Sequence, residues 1–164
     1  MAELGEEVVE HITRLPTLNT CKSIRTMLSG QVTDIAPNTA KSALFISADM
    51  ICDEENVASP GFLLNAAGYV ACAAINKPNA TIIAMKSAFY APCKLNETID
   101  FIAQANFDNT DKREVRVIGT LRDIKIYEGD FTILVTREHI LKMQENEMEK
   151  QRQNRKIIRG KEPL

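Results

Sequence analysis

The sequence predicts an α+β domain in which one long buried helix is wrapped by an antiparallel sheet of about five strands. Three observations carry this expectation. After Ser59-Pro60-Gly61 the chain runs FLLNAAGYVACAAIN, apolar and without charge, and meets no further proline until Pro78. Four strand-like stretches then follow, separated only by turn residues. The composition, 45% hydrophobic over 164 residues, supplies enough apolar side chain for one sizeable core.

Taken in chain order, residues 6–28 place Val8, Val9, Ile12, Leu15, Leu18, Ile24 and Leu28 at mostly helical spacings broken at Pro16, which predicts two short helices ahead of the main domain. Gly30 and then Pro37-Asn38 mark a loop, and residues 42–52 (SALFISADMIC) are apolar and β-tolerant enough for a strand. In the central helix Phe62, Leu63, Ala66, Ala67, Val70, Ala71 and Ala74 form a wide stripe. The other positions are small or uncharged, so the helix is expected to be buried nearly all round. Its alanines and glycines let a sheet come close to its backbone.

The four later strands are expected at residues 81–90, 97–107, 114–121 and 124–135, with Glu128-Gly129 as a bulge. Alternation is clearest where Ile99, Phe101, Ala103 and Ala105 interleave with Asp100, Gln104 and Asn106. Asn109-Thr110-Asp111 is a turn. Short links imply antiparallel neighbours, because a parallel pair needs a long crossover. The organisation is then a helical extension over residues 1–40, the wrapped-helix domain over 41–136, and a charged helix and tail over 137–164.

A formal net charge of −2 and a pI near 5.8 give no reason to expect binding of nucleic-acid phosphates. No apolar run approaches the roughly 20 residues of a membrane span, and the opening MAELGEEVVEH has acids where a signal peptide needs bases, so the expected location is the cytoplasm. Cys21, Cys52, Cys72 and Cys93 are scattered, with only His11 and His139 for company. They read as free thiols, and neither a metal nor a resident cofactor is expected.

The stretch SPGFLLNAAGYVACAAI resembles the central helix of the hotdog superfamily, SAFYAPCKLNETIDFIAQANF resembles that family's turn into a strand, and YEGDFTILV resembles its last strand. The likeness covers roughly residues 42–135. It is shared with acyl-CoA thioesterases, hydroxyacyl-thioester dehydratases and the acyl-CoA-sensing domain of a lipid-synthesis repressor, and with small hotdog proteins of flagellated epsilon-proteobacteria, some tied to motility. The resemblance implies a homodimer or higher homo-oligomer whose subunits pair their sheets, with an acyl-CoA or acyl-carrier-protein arm lying between them beside the helix. Unpaired sheet edges favour the same pairing.

A thioester site needs a donor for the carbonyl and, for hydrolysis, a base or nucleophile. The start of the helix offers backbone N–H groups at Gly61 and Phe62 just after Ser59 and Pro60, where the first turn lacks helical partners. An ordinary helix start with Pro in its first turn accounts for the same residues. Asn65 is the lone amide of the helix, one turn beyond Gly61, and is expected to contact the thioester carbonyl beside those N–H groups; a satisfied core amide bridging helix and sheet or the dimer axis is its plain alternative. The resemblance puts Asn65 where dehydratases carry their acid, Ile51 near their His, and Ser59 and Gly68 where one thioesterase branch has its His and helix acid.

None of those four can do general-base work. Asp53, with Glu54 and Glu55, is the loop acid left for that role, and a solvated turn is its plain alternative. Tyr69 and Cys72 continue the Asn65 stripe toward a pocket or simply the core. Cys52 has no activating neighbour in sequence. Lys86, Lys94, Lys112 and Arg113 are candidates for the phosphates of CoA by charge alone.

The expected function is binding of an acyl thioester by a weakly catalytic or non-catalytic sensor or adaptor. One alternative is a thioesterase using Asn65 and Asp53. A second is a lipid-responsive transcription regulator, which the short acidic N-terminus disfavours.

Overall fold

The computed structural model describes residues 17–106 and 110–160; Val8, Val9, Ile12 and Leu15 of the expected leading helices, and Asn109 of the expected turn, lie outside the described residues. The elements are α1 (Thr26–Ser29), β1 (Gln31–Ala36), β2 (Thr39–Phe45), a 3-10 turn (Ala48–Met50), α2 (Gly61–Ile75), β3 (Ala80–Phe89), β4 (Thr98–Ala105), β5 (Lys112–Leu121), β6 (Ile124–Val135) and α3 (Ile140–Arg159). One antiparallel sheet contains all six strands in the order β1-β2-β4-β5-β6-β3 and packs around α2.

The expected buried helix is present from Gly61 to Ile75, and every residue from Ala66 to Ile75 is buried. It ends where Asn76 takes the left-handed conformation and donates its N–H to the Cys72 carbonyl, a helix stop that Asn adopts at small cost. In β4 the alternation read from the sequence is strict: Ile99, Phe101, Ala103 and Ala105 are buried between exposed neighbours. Val115 and Val117 of β5 and Tyr127, Phe131 and Ile133 of β6 complete the inner face against α2.

Several features differ from the expectation. The sheet has a sixth strand, β1, inside the stretch assigned to a helical extension. Gly30 and Pro37-Asn38 bound that strand rather than one continuous loop, and Asn38 turns the β1–β2 hairpin with φ of 63°. The first expected strand, residues 42–52, is shifted and shortened to Thr39–Phe45, because the chain leaves the sheet after Phe45 to make the 3-10 turn.

The strands β3 and β4 are not neighbours either. β3 pairs with β6 and β4 with β2 and β5, so the link over residues 90–97 crosses from one side of the sheet to the other. Backbone hydrogen bonds hold it on the way: Tyr90 N–H to Ile126, Ala58 N–H to Cys93, Leu95 N–H to Asn56 and Asn96 N–H to Ile46. The register shift in β6 falls opposite Gly119 and Thr120, where Ile126 is the extra residue, and not at Glu128-Gly129.

α3 starts on His139, whose Nδ1 accepts the Leu141 N–H at 3.2 Å, and it buries none of its residues. Among the described residues no helix is long and apolar enough to cross a membrane.

Candidate functional site

A pocket of about 350 Å³ opens between the start of α2, the end of β3 and the link that follows it. Leu63, Val57, Ala58, Phe89 and Pro92 make its walls apolar, Pro60 stands at the helix start, and Tyr90 and Cys93 complete the lining. Just beyond Pro60, the Gly61 N–H has no hydrogen-bond partner among the described residues, and a Cβ at Gly61 would meet nothing within 4 Å. Open space therefore lies against a helix start whose first N–H is left without a partner. The Phe62 N–H is used, donating to the Ser59 carbonyl at 3.2 Å, and Leu63 and Leu64 both donate to the Pro60 carbonyl. Gly61 is thus the available donor of the pair expected from the sequence.

The pocket holds little acid–base chemistry. Burial, reinforced by the nearby Glu97 carboxylate, pushes the Cys93 thiol up to about 11, so it stays protonated at neutral pH. Glu97 is the acid that sequence reasoning missed: it follows a polar turn and looks solvated, yet its Oε2 is buried without a hydrogen-bond partner behind Cys93.

Asp53, the expected base, does not line the pocket. Its Oδ1 accepts the N–H groups of Glu55 and Val57, both at 3.0 Å, which makes it the organiser of its own turn. Cys52 is exposed, and Lys86 stands on the sheet-edge strand β3 opposite Asp130, away from the pocket lining.

The polar stripe of α2 faces the chain's own N-terminal segment. Asn65 Nδ2 donates to Ser29 Oγ at 2.7 Å and to the Leu28 carbonyl at 3.3 Å. Seven residues on, the Cys72 thiol meets that of Cys21. Tyr69, between them, is buried, and its hydroxyl titrates upward from burial and from the nearby Cys21 charge. At the helix end Asn76 Nδ2 donates to the Thr17 carbonyl and Asn76 Oδ1 accepts the Asn19 N–H.

Asn65, Tyr69, Cys72 and Asn76 therefore form one seam that fastens residues 17–29 along the helix. Gly68 is a packing residue: a Cβ there would sit 3.1 Å from Ile82 Cδ1 of β3. Sequence reasoning had the stripe but not its partner, which lies about forty to sixty residues earlier in the chain.

From these bonds Asn65→Leu is expected to cost about 1–3 kcal/mol, because it strands the buried Ser29 hydroxyl without a donor. Urea unfolding measures it. A stability change within a few tenths of a kcal/mol would show that the seam does not depend on Asn65.

A single buried helix in the curl of an antiparallel sheet, with a pocket at the helix start, is the hotdog class. No family model matches the chain. A sigma28-regulated virulence protein of Campylobacter jejuni, Cj0977, is 40% identical with a TM-score of 0.74 over 76% of this chain and 88% of that one. The HP0420 homologue of Helicobacter felis is 32% identical with a TM-score of 0.70 over 74% of this chain and 88% of that one. The chain belongs to the hotdog-fold family that contains these two proteins.

At the level of fold alone it matches a hypothetical thioesterase with coenzyme A from Streptococcus pneumoniae, 10% identical with a TM-score of 0.60 over 66% of this chain and 87% of that one. Among curated proteins it is 28% identical over 114 residues to the methylthioribose-1-phosphate isomerase of Aquifex aeolicus. That stretch is 70% of this chain, which spans only 25% of the isomerase.

Proposed function

We propose that the protein binds an acyl thioester, carried by CoA or by acyl carrier protein, and acts as a sensor or adaptor with little or no turnover. The apolar pocket beside the unpartnered Gly61 N–H carries this reading: an acyl chain fits the walls of Val57, Ala58, Leu63 and Phe89, and the thioester carbonyl fits the donor. Coenzyme A in a protein of the same fold supports the class of ligand.

Slow turnover follows from the lining. Hydrolysis requires a group that activates water; of the lining residues Cys93 keeps its proton, and the Tyr90 hydroxyl is engaged, donating to Glu128 Oε2 at 3.0 Å. Work in a virulence setting is part of the proposal and rests on the Campylobacter relative; a motility setting rests on the family resemblance of the sequence alone.

The test is titration of the full chain with acyl-CoAs of several lengths, paired with steady-state hydrolysis. Binding is expected without turnover at the roughly 1–10³ per second of ordinary enzymes. Gly61→Leu, which places a side chain in open space, should leave stability within about 0.5 kcal/mol and weaken acyl-CoA binding at least about tenfold. Unchanged affinity in that variant removes the helix start from the site. Rapid hydrolysis lost in Glu97→Gln would establish a thioesterase instead.

A further inference from the structure

Two of the cysteines face each other inside the seam that holds residues 17–29 on α2. Cys72 is buried on the helix, between Asn65 and Asn76. Hydrogen bonds on either side fix the segment that crosses it: Asn76 binds the Thr17 carbonyl and the Asn19 N–H, and Asn65 binds Ser29 Oγ and the Leu28 carbonyl. Cys21 follows Asn19 by two residues, so its side chain arrives beside Cys72, where the two free thiols share a hydrogen bond.

The position of Cys21 is built. Its carbonyl accepts the Ile24 N–H at 3.1 Å, and its side chain packs against the core. Its φ of 52° lies in the left-handed region, which a residue other than glycine keeps when its surroundings hold it there. The pair is also asymmetric. Cys72 is sealed, whereas Cys21 is half-buried and within reach of a small solute. The Cys72 S–H donates to Cys21 Sγ and holds that thiol below its ordinary range against the burial that raises it, with Thr20 Oγ1 adding a weaker bond at 3.7 Å. The same Cys72–Cys21 bond, then burial, keeps the proton on Cys72. Cys21 is therefore the nucleophile of the pair, and Cys72 the group that resolves it.

We infer that Cys21 and Cys72 form a reversible redox latch, closed by a disulfide that locks residues 17–29 onto α2 when the chain meets a small-molecule disulfide. The Cys21 thiolate attacks one sulfur of that oxidant, RSSR, forming a Cys21–SR mixed disulfide and expelling RS−. Cys21 no longer accepts the Cys72 S–H, so the main hold on that proton is gone, and the proton passes to RS− to give RSH. The Cys72 sulfur then attacks Cys21 Sγ and breaks its bond to SR. The second RS− takes up the proton that Cys21 had released. Two thiols are oxidised to one disulfide, and RSSR is reduced to two RSH. The latch is independent of any ligand in the pocket, since Cys93 is the cysteine that lines it.

The test treats the full chain with glutathione disulfide, blocks the remaining thiols in mild acid with N-ethylmaleimide, and maps disulfides by mass spectrometry without reduction. The expected product joins Cys21 and Cys72 within a single chain, and dithiothreitol releases it. Amide hydrogen exchange over residues 17–29 should slow at least about tenfold in the linked form.

In Cys72→Ala, Cys21 should accumulate as its glutathione adduct. Cys21→Ser, at the more accessible position, should leave Cys72 reduced, and it carries the test if the buried variant does not fold. An unmodified chain that stops at the Cys21 adduct, or leaves Cys21 unreacted, overturns the latch. So does oxidation of Cys72 as readily in Cys21→Ser, or hydrogen exchange over residues 17–29 that is the same in the linked and reduced forms.

Discussion

In solution the chain should sediment as at least a dimer of its 18.3 kDa subunit, and Ile83→Asp/Met85→Asp should abolish that pairing through β3. The two ends of the sheet are unlike. At one, β1 is six residues long, carries Asp34, and is broken by a register shift between Val32 and Asp34, all devices that blunt an edge. At the other, β3 is ten residues long, has a single charge at Lys86, and exposes Ile83, Met85 and Phe89. A second β3 added antiparallel would continue the ladder and cover those side chains.

Two introduced carboxylates per subunit would face their own copies there, and such like-charge contact costs several kcal/mol. Both sites are exposed in the single subunit, so the fold should tolerate the change. Light scattering and a thermal melt on the same sample give the answer. Persistence of the dimer in the double variant would put the interface elsewhere, and a stable wild-type monomer at micromolar concentration would remove it altogether. Phe89 and Tyr90 at the end of β3 line the pocket, so the variant should also bind acyl-CoA poorly if the site is shared between subunits.

How much of this was readable beforehand depended on how local the signal was. The α2 stretch is self-announcing, because burial on every side leaves no position for a charge, and β4 is so because its alternation reports one buried and one wet face. β1 was missed since QVTDIA has no such alternation: as an edge strand it buries only Val32 fully. Strand order was misjudged because a short link implies adjacency only when the chain turns back at once, and residues 90–97 instead run across the end of the sheet.

The site divided in the same way. Pro60 and Gly61 were legible from helix-end chemistry, which belongs to the sequence itself. The role of Asn65 was not, because it is decided by Leu28 and Ser29, which reach the helix through tertiary folding. The pocket walls at Val57, Ala58, Phe89 and Pro92 come from two segments more than thirty residues apart, with no shared motif to join them.

Gly129→Ala should lower stability by about 2–4 kcal/mol. Gly129 lies in β6 between Tyr127 and Phe131, both fully buried, and a Cβ there would drive into the Tyr127 hydroxyl and stand 2.8 Å from Phe131 Cε2. Neither ring has room to withdraw. Tyr127 is held edge-on by Phe89 at 5.4 Å and Phe101 at 5.9 Å, and its hydroxyl shares a 2.7 Å hydrogen bond with Ser87.

Overpacking of this kind ordinarily costs about 1–3 kcal/mol, and loss of the Tyr127–Ser87 bond adds roughly one more. The consequence reaches the pocket, because Phe89, which Tyr127 braces, is one of its walls. Chemical denaturation of the variant should therefore show a lower midpoint with an unchanged slope, and acyl-CoA affinity should fall in those molecules that remain folded. A loss of less than about 0.5 kcal/mol would mean that the Tyr127 ring shifts freely, and the bracing of the pocket wall by β6 would have to be abandoned.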